Sequence, residues 1–196
     1  MRVNTLLAFV AAVLVLCAPM AFGQNLLSNG SFETGDFSGW TTTGNFEFSQ
    51  VVSGPFYVYS GAQDGNFYAT FGPVGSDGGI SQSFATTAGA QYTFSFYLAA
   101  IGDDPSDVSV FWDGTQVYGA TDPNTGGNYQ LFSFSETGTG SDTVSFNFRD
   151  DPAYIALDNV SVTQQSTGTV PEPSSFMLLG SGVLGLAGVI RRKMRG

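Results

Sequence analysis

Two sets of neighbouring carboxylates are the residues most capable of chemistry: Asp103 and Asp104 with Asp107, and Asp150 with Asp151. Two carboxyl groups about 5–9.5 Å apart across a groove are the apparatus of glycoside cleavage, one giving a proton while the other attacks or activates water. Each set lies beside a proline, Pro105 or Pro152, and acids clustered at such positions ordinarily form turns and face solvent. They are read here as turn acids, and a glycoside-active enzyme is kept as the second alternative. Five aromatic residues, Trp40, Tyr57, Tyr59, Trp112 and Tyr118, carry rings of the kind that stack on the C–H face of a sugar, which requires an exposed plane with polar neighbours. Trp112, followed by Asp113 at an expected strand end, is the ligand-binding candidate. There is no histidine, and the only cysteine, Cys17, lies in the stretch 1–23 that reads as a removable signal peptide. That removes His-based triads, cysteine nucleophiles, and zinc or copper centres built on imidazole or thiolate. No catalytic residue is assigned, and the expectation is a protein that is not an enzyme.

These residues are carried by short runs in which apolar and hydroxyl residues alternate. The clearest spans 91–98, where Tyr92, Phe94, Phe96 and Leu98 share one face and Thr93, Ser95 and Tyr97 the other. Similar runs occupy 46–52, 67–71, 80–85, 108–112, 116–118, 129–135, 142–149 and 154–163. Glycine, asparagine and aspartate separate them, and no segment holds a helical period. Alternation of this kind marks strands with one buried face. Many short strands at this spacing predict an all-β jelly-roll sandwich.

Both ends of the chain read as addresses. Arg2, the apolar run 6–16 and the small residues Ala21 and Gly23 form a secretory signal peptide over 1–23, cut by signal peptidase before Gln24. The β-sandwich domain follows over 24–165, with a polar linker at 166–169. The tail, 170–196, has three parts. Val170-Pro171-Glu172-Pro173 is stiff and extended, because proline fixes its own backbone and donates no hydrogen bond. Residues 174–190 carry no charge and, as a helix, would span roughly 25 Å, the short end of what crosses a bilayer. Arg191, Arg192, Lys193 and Arg195 end the chain. Basic residues flanking a span stay cytoplasmic, so a precursor anchored with its C-terminus inside and the domain outside is expected.

Removing both addresses exposes a lopsided charge. Arg149 is then the lone cation against fifteen acids, a net charge of −14. Phosphate backbones need cations to neutralise them, so nucleic acid is excluded as a partner. Divalent cations and neutral polymers such as polysaccharide suit the domain better.

The order Val-Pro-Glu-Pro, uncharged span, arginine-rich end resembles the PEP-CTERM sorting signal. That resemblance implies a bacterium with an outer membrane, an exosortase-like protease as processing partner, and delivery to the envelope or an extracellular matrix, with the span removed on cleavage. The run Asn29-Gly30-Ser31-Phe32-Glu33 and the run Leu157-Asp158-Asn159-Val160-Ser161-Val162 resemble the first and last strands of galactose-binding-like jelly rolls found among carbohydrate-binding modules. This second resemblance implies that the two ends of the domain lie side by side. It also implies that Glu33 and Asp158 help to hold a structural Ca²⁺, a cation that takes six to eight oxygen ligands from carboxylates and carbonyls. The functional expectation is an exported, non-enzymatic envelope or matrix protein contacting exopolysaccharide, with a purely structural surface protein as the first alternative.

Overall fold

The computed structural model describes residues 23–102 and 105–166. The expected signal peptide up to residue 22, the acids Asp103 and Asp104, and the whole sorting tail with the helix expected over 174–190 lie outside the described residues. Ten strands make up the domain: β1 (Thr41–Gly44), β2 (Gln50–Ser53), β3 (Phe67–Phe71), β4 (Gly78–Ala85), β5 (Gln91–Ala99), β6 (Ser106–Trp112), β7 (Thr115–Thr121), β8 (Gln130–Thr137), β9 (Ser141–Asp150) and β10 (Ile155–Gln164). They form two five-stranded sheets, ordered β1-β4-β9-β6-β7 and β2-β3-β10-β5-β8. Every pairing is antiparallel. This is the expected jelly-roll sandwich.

Alternation builds the core as the sequence pattern requires. On β5 the buried set is Tyr92, Phe94, Phe96 and Leu98; on β9 it is Val144, Phe146 and Phe148; on β6 it is Val108, Val110 and Trp112. Rings from the two sheets meet between them. Phe71 stacks on Phe148 at 4.1 Å between centroids, and Phe96 meets Phe146 edge-on at 5.1 Å. Each such side chain contributes about 2–3 kcal/mol by burial. The main core cluster draws its buried residues from Leu27 through Val162, so the domain supplies its own interior and forms one compact unit.

Two local expectations change. The run 46–52 is not one strand: the Ser49 N–H bonds Phe46 O at 3.3 Å, closing a turn, and the strand begins only at Gln50. Phe46 turns into the core against Phe37 and Phe71, while Phe48 takes a positive φ of 57° and points to solvent. β1, by contrast, is a strand of exposed threonines with no apolar alternation to announce it.

The two ends of the domain lie against each other, as the jelly-roll resemblance implied. The Leu26 N–H donates to Val162 O at 2.8 Å and the Val160 N–H to Gly30 O at 2.9 Å. The Asn25 side chain bonds β10 twice, accepting from Val162 N and donating to Val160 O, both at 2.9 Å. Gly30 is obligatory here, since a Cβ on it would lie 2.1 Å from Val160 O.

Candidate functional site

A tight double turn sets the direction of Glu33. Asn29 and Phe32 both adopt positive φ, at 52° and 55°, an arrangement uncommon for asparagine and strained for phenylalanine. The Asn29 amide donates to Asp36 O and Ser38 O at 3.0 Å each, and its carbonyl accepts the Thr34 N–H at 3.2 Å. Phe32 is thereby driven into the core, stacked 5.9 Å from Trp40, and the neighbouring Glu33 is thrown outward. Its Oε1 accepts the N–H groups of Asn66 and Phe67, both at 2.8 Å. The Phe67 N–H, with help from Asn66, holds the Glu33 carboxyl below its ordinary range against the opposing effect of burial.

Asp158 reaches the same loop from the other side. β10 bulges between Asp158 and Ser161, and Asn159 there takes φ 48°. Asp158 is 0% exposed. Its Oδ2 accepts Gln63 N at 2.7 Å and Asp64 N at 2.9 Å, and its Oδ1 accepts Asn159 N at 2.6 Å. Burial pushes its pKa up to about 6 despite these donors, and the nearby Asp64 carboxylate adds to the rise. Carboxylates from opposite ends of the domain thus clasp one loop, 63–67. Gly65 closes that clasp: it has φ +67°, and a Cβ on it would lie 2.3 Å from Glu33 Cδ.

The acidic side chains around the loop, Glu33, Asp158 and Asp64, offer only oxygen donors. That is the chemistry a hard cation takes. Among the described residues there is no group of three or more carboxylates spaced to hold a metal, so any cation there would depend on the carbonyls. In the structure both carboxylates are engaged by amides.

Upstream of the clasp, residues 54–62 fold across the outer face of the sheet β2-β3-β10-β5-β8. The Tyr59 hydroxyl donates to Tyr154 O, and Tyr68 donates to Gly54 O at 3.2 Å. Phe56 and Tyr59 exchange backbone hydrogen bonds at 3.1 and 3.0 Å, making a small hairpin with Tyr57 and Val58 at its tip. Beneath it lies a second apolar cluster of Tyr59, Tyr68, Ala99 and Ala156, with Tyr129 packed against it. Burial raises the Tyr129 pKa, and the charge of Asp158 raises it further. At the tip Tyr57 is 54% exposed, has φ 53°, and its ring lies edge-on to Tyr154 at 5.6 Å.

The sugar-stacking candidate from the sequence is corrected by this arrangement. Trp112 is 4% exposed, packed among Phe84, Phe94 and Tyr92, because it shares the inward parity of Val108 and Val110. No face of the ring remains for a sugar. Trp40 is buried too, and its indole N–H donates to Asn29 O at 3.0 Å. Tyr59 is buried and Tyr118 half-buried, so of the five rings considered, Tyr57 alone is solvent-facing.

The acids divide similarly. Asp151 accepts Arg149 at 3.1 Å and the Gly75 N–H at 3.0 Å. Asp107 is half-buried, and burial together with the nearby Asp77 and Asp122 raises its pKa. The sequence reading missed a different pair. Asp142 is fully buried and accepts Thr86 Oγ1, Thr139 Oγ1 at 2.9 Å and Thr139 N at 3.0 Å. Asp113 lies beside it, accepting the Thr143 N–H at 2.7 Å. Burial and a proton-sharing contact with Asp142 raise the Asp113 pKa. Burial opposes ionisation of Asp142 as well, but donors from Asp113, Thr86 and Thr139 win and lower its pKa.

Residues 169–193 match the PEP-CTERM protein-sorting motif. The PEP-CTERM motif indicates export, sorting to the envelope and processing by an exosortase-like enzyme. No protein of curated function matches the chain in sequence. Solved structures do resemble the domain. TmCBM61, in complex with β-1,4-galactotriose, is 20% identical, with 72% of this chain and 99% of that chain covered and a TM-score of 0.51. The CBM22-1 xylan-binding domain of Paenibacillus barcinonensis Xyn10C is 20% identical, with 76% and 100% covered and a TM-score of 0.51. A cyclase from Fischerella sp. TAU, in complex with 4-(1H-indol-3-yl)butan-2-one, is 14% identical, with 73% and 98% covered and a TM-score of 0.52. At these identities the likeness concerns fold, and the cyclase shows one architecture hosting unrelated activities.

Proposed function

We propose that this PEP-CTERM protein is a non-catalytic carbohydrate-binding component of the cell envelope or extracellular matrix, with exopolysaccharide as its ligand. The observation that carries the reading is Tyr57. It is an exposed ring held in a sparsely populated backbone conformation at the tip of a loop otherwise pinned by buried tyrosines. Strain kept at an exposed aromatic residue is a mark of a functional position. A tyrosine offers an apolar plane and a polar tip, which suits the C–H face and hydroxyls of a sugar.

Glu33 and Asp158, with carbonyls of 63–67, form a Ca²⁺ site in this proposal. Such a cation would supply the positive charge that the buried Asp158 lacks and would tie the first turn of the domain to its last strand. The tail acts before the domain does: 174–190 spans the inner membrane, Arg191, Arg192, Lys193 and Arg195 stay cytoplasmic, and cleavage at Val170-Pro171-Glu172-Pro173 releases the domain from the span. Signal peptidase removes 1–23 at the front.

The binding claim is tested by electrophoresis of residues 24–166 through gels containing soluble exopolysaccharide. The wild-type domain is expected to be retarded, and Tyr57→Ala to lose most of that retardation with an unchanged melting temperature. Equal mobility of the wild type with and without every polymer tried supports the structural-protein alternative instead.

A further inference from the structure

A β-sandwich has four edge strands, and each exposes unpaired N–H and C=O groups to any passing strand. Natural sheets blunt such edges with short strands, bulges, charges or proline. Three of the four edges here are blunted. β1 and β2 are four residues each. β7 is bulged against β6 between Val110 and Phe111. β8 is not: it pairs with β5 in unbroken register from Gln91↔Thr137 to Leu98↔Gln130, eight residues without a bulge. Its sequence, Gln-Leu-Phe-Ser-Phe-Ser-Glu-Thr, has no proline and no cation. Leu131 on its outer face is 51% exposed.

β7 and β8 lie on the same side of the sandwich. Tyr118 of β7 meets Phe132 of β8 at 4.5 Å between ring centroids. Of the fifteen acids of the exported domain, Glu136 alone lies on either strand. A second copy carrying the same strong negative charge therefore meets a single carboxylate on these two strands.

We propose that β8 is a dimerisation edge, to which β8 of a second copy of this chain adds antiparallel across a twofold axis. The strand is complementary to itself. With inner faces on the same side, residues of like parity pair, and a register centred on Ser133 sets Phe132 against Phe134, Leu131 against Ser135 and Gln130 against Glu136. Aromatic residues then face each other across the junction, a favourable cross-strand pairing, and the two Glu136 carboxylates stay apart. The contact is isologous, so it closes at two copies, and it joins two five-stranded sheets into one. Two Tyr57 loops are thereby presented by one particle, which strengthens binding to a repeating polymer without any new contact.

Sedimentation of residues 24–166 tests this, since that segment supplies its own core. The wild type is expected to shift from monomer to dimer with rising concentration. Ser133→Lys, which sets two like charges across the junction at a solvent-facing site, is expected to stay monomeric with an unchanged melting temperature. A wild type that is monomeric throughout, or a Ser133→Lys variant that dimerises equally well, overturns the proposal. Hydrogen exchange on the wild type provides a check that needs no variant: amides of 130–137 gain protection as concentration rises. Protection gained at another edge instead also overturns it. Loss of polysaccharide binding without loss of the dimer would refute the functional reading and leave this one standing.

Discussion

Asp142 and Asp113 stand close enough to share a proton, and their environments pull their pKa values apart. Asp142 is depressed, so its contribution to stability is present above the ordinary aspartate range and is lost as pH falls through its folded value. Asp113 is raised, so its contribution is complete below the ordinary range and is lost as pH rises through its folded value. Around pH 7 the second carboxylate is therefore a burden. Asn keeps the acceptor for the Thr143 N–H and tolerates the positive φ of 47° at this position. Asp113→Asn should raise the melting temperature at pH 7 and change it little below pH ~3.8, the usual aspartate value; a pH series of thermal melts on both proteins checks this. The sequence held no sign of the pair, because Asp113-Gly114 reads as a turn and Asp142 as a strand start, and only the sheet register brings them together. Trp112 is the opposite case. Its parity with Val108 and Val110 was visible in the alternation and already placed the ring indoors, and the polar Asp113 beside it was the weaker cue.

At the scale of elements, the strands that bury a face were legible and those that do not were hidden. β5, β6 and β9 announce themselves through aromatic alternation, whereas β1, a run of exposed threonines, has no periodic signal. The 46–52 run failed because Phe46 and Phe48 alternate in sequence while only Phe46 reaches the core. The clasp was legible in part: Glu33 and Asp158 were named through resemblance, but the loop they grip, 63–67, looked like an ordinary turn. Its geometry yields a prediction. Gly65→Ala adds a Cβ that collides with the Glu33 carboxylate in a left-handed backbone position, costing about 1–2 kcal/mol for the conformation alone and more for the displaced clasp. If the clasp holds Ca²⁺, the wild-type domain melts higher in excess Ca²⁺ than in chelator, and Gly65→Ala shows a smaller difference. A wild-type melting temperature indifferent to Ca²⁺ removes the metal site and leaves the amide-bonded carboxylates as the whole clasp.

For the molecule as a whole, charge separates two functions. Five of the six basic residues lie in the two segments read as addresses, Arg2 near the front and four in the tail, and fifteen of the sixteen acids lie in the domain. In the proposed function the cations hold the chain at a membrane during delivery, and the acidic domain suits a neutral or cation-bridged polymer. The address was the most legible part of the sequence because it is read as a linear order of residue types. The proposed binding surface of the cargo was the least legible, since exposure of a ring depends on how a loop crosses a sheet.

One measurement tests address and cargo together: the intact mass of the protein recovered from the exopolysaccharide fraction of cells expressing the full chain. The expected species starts at Gln24, lacks the residues beyond the 170–173 motif, and disappears from that fraction when Pro171→Ala and Glu172→Ala are introduced together. Recovery of the full-length, uncleaved chain in the membrane fraction of wild-type cells, with none on the polymer, would contradict that expectation.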